Sequence, residues 1–143
     1  MPGMARRRRQ PLRGLPIALL LATTGCSSGP SMVLDSDLPA VPGLESVYAR
    51  NLDRRGGALA GGRIVYRGRV ENAAELLDRT LALYRAAGWR VLDRTEARFS
   101  AEAKLARGDR RCTITIRSNR IDPAMSQAQL VLGSAASDAA PSS

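Results

Sequence analysis

Between Leu38 and Leu132 the rhythm of apolar and polar positions changes several times, and each change marks an element. From Arg63 to Val70 the pattern alternates, with Ile64, Tyr66, Gly68 and Val70 on one face and Val65, Arg67 and Arg69 on the other. A period of two is that of a half-buried strand. Ser46 to Leu52 reads as an earlier strand, joined to it by the glycine-rich connection Arg55–Gly62. After Asn72 the spacing lengthens to three and four: Ala73, Leu76, Leu77, Thr80, Leu81, Leu83, Tyr84 and Ala87 form one broad stripe. That predicts an amphipathic helix with Asn72 as N-cap, Glu75 completing a capping box and Gly88 as the left-handed stop.

Alternation then returns. Trp89 to Arg94 predicts a third strand, and Ala97 to Arg107 a fourth, with Ala97, Phe99, Ala101, Ala103 and Leu105 facing inward. Gly108-Asp109 turns the chain into Arg111–Arg117, where Cys112, Ile114 and Ile116 point inward and Thr113 and Thr115 outward. Ile121-Asp122-Pro123 breaks the ladder, and Gln127–Leu132 adds a weak last strand. One helix among five or six strands predicts an α+β, two-layer sandwich: a mainly antiparallel sheet, covered on one face and wet on the other.

The N-terminus follows a different logic. Arginines 6–9 and Arg13 precede the apolar run Leu15–Ala22, which ends at Gly25-Cys26. The run is far shorter than the roughly 20 apolar residues a bilayer span needs, so it reads as a secretory signal. Gly25-Cys26 resembles the end of a bacterial lipobox, with Thr23 where a Leu is usual. Cys26 is thus the expected lipidation site, and Ser27 in place of an Asp directs the protein to the outer membrane, facing the periplasm. The predicted organisation is a signal peptide over 1–25, a lipidated Cys26 with a flexible tether to 37, one domain over 38–132, and a disordered tail over 133–143.

Removing the leader changes the charge. The whole chain carries 22 Lys plus Arg against 13 Asp plus Glu, but five of the arginines belong to the leader. The remaining excess is too small for a dedicated nucleic-acid binder. Histidine is absent, which removes the usual neutral-pH base and the commonest metal ligand. With Cys26 acylated, Cys112 has no thiol left to pair with. The carboxylates are scattered, and the glycines at 56–62 lack the Gly-Lys-Ser/Thr of a phosphate loop. No catalytic residue, cofactor or metal site is expected.

Two single residues invite a sharper reading and do not sustain it. Cys112 shares the inward row with Ile114 and Ile116, which favours a small apolar filler over a reactive thiol. Trp89 directly follows the helix-capping glycine, the place for a residue that packs the helix end onto the sheet. The strongest candidate for binding is a cationic open face formed by Arg67, Arg69, Arg98, Lys104, Arg111 and Arg117, suited to an acidic envelope protein or anionic lipid.

Several short motifs follow one another along the chain: Pro39-x-x-Pro42-Gly43, Tyr66-Arg67-Gly68, Leu83-Tyr84-Arg85 with Gly88-Trp89, and Gly108-Asp109-Arg110-Arg111-Cys112-Thr113-Ile114-Thr115-Ile116. Over roughly residues 39–132 this resembles small uncharacterised bacterial envelope lipoproteins, in which Tyr-x-Gly leads into a helix ending in Gly-Trp and a basic turn precedes a Cys-x-Ile-x-Ile strand. The resemblance implies the same layout and a membrane-anchored life, and it implies no activity. The expected role is that of a non-enzymatic, lipid-anchored partner-binding or structural module. The alternative is a binder of a small ligand or lipid head group in the space between helix and sheet.

Overall fold

The structure, a computed structural model, describes residues 29–136. It contains β1 (Glu45–Arg55), β2 (Ala58–Gly68), α1 (Ala73–Ala86), β3 (Arg90–Ala97), β4 (Ser100–Arg107), β5 (Arg110–Arg117) and β6 (Ser126–Ser134). The six strands form one antiparallel sheet in the order β1-β2-β6-β5-β4-β3, with α1 packed on one face. This is the predicted α+β sandwich. The last strand is central, inserted between β2 and β5.

The helix begins and ends where its caps dictate. The Asn72 side chain accepts from the backbone N–H groups of Ala74 and Glu75 at 3.0 and 3.2 Å. At the other end Gly88 adopts φ 85°, its N–H bonds Arg85 O, and the Trp89 N–H bonds Tyr84 O at 2.9 Å. That is a Schellman closure, and the apolar contact that accompanies it is present: the Tyr84 and Trp89 rings lie 5.9 Å apart. Trp89 is buried and pins the helix end to the sheet.

Alternation fixes the core. Ile64, Tyr66, Ala101, Ala103, Leu105, Cys112, Ile114, Ile116, Ala128, Leu130 and Leu132 meet Leu76, Leu77, Leu81 and Tyr84 of the helix in one apolar cluster. α1 lies chiefly over β3, β4 and β5. The rest of the cluster is completed by the segment before β1, where Val33, Leu38 and Val41 are buried with Leu59, Ile64 and Tyr66.

That segment corrects the expected tether. Residues 31–37 are not a free linker: the Val33 N–H bonds Leu38 O and the Ala40 N–H bonds Ser31 O, both at 2.8 Å. Asp37 accepts from Arg107 at 2.9 Å and from both terminal nitrogens of Arg110. Arg110 also donates to Leu59 O at 2.9 Å and stacks over the Trp89 ring at 5.0 Å. The predicted tail is corrected too: β6 continues to Ser134, and the Ala135 N–H bonds Asp109 O. Cys26, the predicted leader and the end of the predicted tail lie outside the described residues.

Two strand boundaries also moved. The glycine-rich stretch is mostly strand: only Gly56 and Gly57, at φ 56° and 82°, form the turn. Two consecutive left-handed residues are what a tight hairpin between right-twisted strands needs. The segment expected as a single strand from Ala97 to Arg107 contains the β3–β4 turn at Arg98-Phe99. Phe99 therefore sits half-buried in a turn, its ring against Arg98 and Arg120 at 5.1 and 4.7 Å. β1, an edge strand, changes register with β2 at three places and carries Asn51 at φ 52°.

Candidate partner-binding face

The strand register lays out three rows on the face that α1 leaves open. One runs Glu45, Arg67, Gln127, Arg117, Ser100, Ala97 from β1 to β3. The next is Tyr48, Val65, Gln129, Thr115, Glu102, Thr95, and the third Arg50, Arg63, Val131, Thr113, Lys104, Asp93. Neighbouring strands stand about 4.8 Å apart, so Arg67 and Arg117 straddle Gln127 with roughly 10 Å between their backbones. A shallow depression of about 70 Å³ lies there, lined by Thr115, Arg117, Gln127 and Gln129. A wider one of about 210 Å³ adjoins it through Thr95, Ser100 and Glu102.

Of the six cations expected on this face, the register brings Arg67, Lys104, Arg111 and Arg117 to it. Arg111 is occupied by its own turn, donating to Gly108 O and Arg110 O at 3.1 Å. Arg69 and Arg98 are elsewhere, which corrects the prediction. Arg69 lies beyond the end of β2 and pairs with Glu71 at 2.7 Å beside the start of the helix, and Arg98 occupies the β3–β4 turn. Both were placed by extending an alternation past the true end of a strand.

Two further arginines belong to the face and were not singled out from the sequence. Arg50 and Arg63 stand directly opposite each other on β1 and β2. Stepping back by two from Arg67 and Val65 reaches Arg63, so the signal was present in the alternation. Arg50 was hidden because the β1 register shifts cannot be read from spacing. Like charges directly opposed across a ladder are destabilising. Neither arginine forms an ion pair among the described residues, and Arg50 rests over the Tyr48 ring at 5.0 Å. Apart from Glu45, which opposes Arg67, the acids lie towards the other edge, where Glu102 accepts from Thr115 and Asp93 opposes Lys104.

The interior shows no comparable chemistry. Leu77, Leu81, Tyr84, Ile114 and Leu130, all fully buried, fill the space between helix and sheet where a small ligand was the alternative expectation. Burial pushes the Cys112 thiol up to about 12, against the pull of the Tyr84 hydroxyl and the Arg110 charge. Burial likewise raises the Tyr66 and Tyr84 phenols, with Cys112 adding to the effect. A thiol so held is protonated and unreactive near neutral pH. Iodoacetamide is therefore expected to leave Cys112 unmodified in the native protein and to modify it fully in denaturant; peptide mapping that finds rapid native modification would contradict the packing. Among the described residues no three His, Cys, Asp or Glu side chains gather as a metal site requires, and no helix is long and apolar enough to cross a membrane.

No protein-family model matches the chain, and neither a curated protein nor a solved structure does.

Proposed function

We propose that the protein is a non-enzymatic module of the cell envelope, held on the outer membrane by acyl chains on Cys26, whose open sheet face binds an acidic partner protein in the periplasm. The observation that carries this reading is the Arg50–Arg63 pair. Two arginines opposed across a ladder without a neutralising acid cost the free protein stability. An acidic surface laid on the face would offset that repulsion, and Arg67 and Arg117 add positive charge two rows away, where Glu45 opposes Arg67 only at the sheet edge. The centre of the face is Gln127 and Gln129, which supply donors and acceptors without charges of their own. Steering by such a surface acts chiefly on association rate and on choice of partner.

The test is crosslinking in native membranes followed by capture of the acylated protein. Arg63→Glu combined with Arg67→Glu should lower capture of a reproducible acidic envelope protein at least about tenfold, an effect of about 1.4 kcal/mol. Arg69→Glu combined with Arg98→Glu, equal in charge change but off the face, should leave it nearly unchanged. Equal losses from both pairs would show that net charge matters and the face does not.

A further inference from the structure

The turn at Val33–Asp35 presents its side chains in an unusual way. Val33 is buried in the core, while Met32 and Leu34 on either side of it are 43% and 45% exposed. Leu34 and the following Asp35 both lie in the left-handed region, at φ 46° and 53°. This conformation is unfavourable for a leucine and natural for glycine or asparagine. The leucine gains no core burial in return for the strain.

The frame around it is fixed. The Val33 N–H bonds Leu38 O, the Ser36 N–H bonds Val33 O, and Arg54 donates to Leu34 O at 2.7 Å. Asp37, two residues past the strained pair, is held by Arg107 and Arg110. A turn fixed by these bonds thus leaves two apolar side chains exposed, with Arg54 bonded to its backbone and Arg107 to Asp37 beside it.

Chain length says what this turn faces. Five residue steps separate Cys26 from Ser31, and a fully extended chain covers at most about 3.6 Å per residue, or roughly 18 Å. Ser31 is already bonded to Ala40 and so belongs to the domain. Resting on the reading that Cys26 is acylated, we propose that Met32 and Leu34 insert into the membrane interface, so that the lipid anchor and this turn together hold the domain upright. Arg55 pairs with Asp53, Arg107 with Asp37, and Arg54 is engaged by the Leu34 carbonyl, so little free charge is left for anionic head groups and the occupant is the apolar boundary of the bilayer. The opposite end of the sheet carries Ile121, 96% exposed, beyond β5 and eight strand residues away. It points into the periplasm.

The experiment uses the full mature protein in liposomes of phosphatidylethanolamine and phosphatidylglycerol containing lipids brominated on their acyl chains. Leu34→Trp and Ile121→Trp each add one fluorophore to the constant signal of buried Trp89. Met32→Trp, at an ordinary φ of −102°, guards against a tryptophan at position 34 disturbing the turn. Quenching at 34 and 32 should exceed that at 121 several-fold, and by the same factor without phosphatidylglycerol. Intact mass, read on the same samples, separates the two ideas. An acylated protein with positions 32 and 34 quenched no more than 121 keeps the anchor and overturns the insertion. An unacylated protein quenched at both positions sinks the anchor and keeps the insertion. No acyl chain and no quenching overturns both.

Discussion

Arg110→Ala is expected to lower the stability of the fold by about 3 kcal/mol. The guanidinium is only 14% exposed and joins three things: the Asp37 carboxylate, the Leu59 carbonyl and the Trp89 ring. Hydrogen bonds involving charge are worth about 1.5–3 kcal/mol net, and a cation over an aromatic face adds about 0.5–1. Solvent reaches Asp37 and Arg107 remains beside it, so the loss stops short of what a fully buried orphan charge would cost. The pH dependence separates the ion pair from mere packing. Arg110 holds the Asp37 carboxyl below its ordinary value of 3.8, with burial opposing. A carboxyl depressed in the folded state stabilises fully above that ordinary value, and its contribution is lost as pH falls through the depressed one. Urea midpoints should therefore differ most between wild type and Arg110→Ala near pH 6, and the gap should narrow, without closing, as pH falls below about 4. A gap that stays constant into acid would assign the effect to lost packing alone.

Leu81→Ala should cost about 3 kcal/mol, and Leu83→Ala, two residues on, about 1 or less. Both belong to the apolar stripe as it reads from spacing. Only Leu81 is fully buried, in the same core cluster as Leu77, Ile114 and Leu130, whereas Leu83 is only partly buried. Domains of this size are stable by about 5–15 kcal/mol in total, so truncating Leu81 removes a large share of that margin. Thermal or urea unfolding followed by circular dichroism gives both values. Near-equal losses at the two positions would mean that the helix is rotated from the orientation described.

The helix was legible almost to the residue because its signals are local: an Asn cap, a stripe of period 3.6, a glycine that alone tolerates φ 85°. The inward rows of β2, β4 and β5 were legible for the same reason. What escaped was whatever depends on residues distant in sequence. The glycine-rich stretch reads as loop, yet Gly61 and Gly62 are strand residues, and Leu52 and the Arg50 carbonyl of the bulged β1 pack so closely on Gly62 that a side chain there would have to displace them. Phe99 kept the alternation running through a turn, so one strand was expected where two meet. The role of Asp37 depends on Arg110, more than seventy residues away, and no local pattern pairs them. The open face was half-legible: a row shows in one strand, but which rows align is settled by pairing.

The stepped pairing of β1 bears on life at high density. Its longest in-register stretch against β2 is three residues, Tyr48–Arg50, and Asn51 then turns the backbone out of line. Another copy sliding alongside would find amide groups out of phase almost at once. For a domain held on a membrane, as proposed above, edge-on collisions are far more frequent than for molecules free in solution. A border strand that cannot serve as a template keeps such collisions from growing into filaments, and leaves the flat side free for the recognition proposed for it.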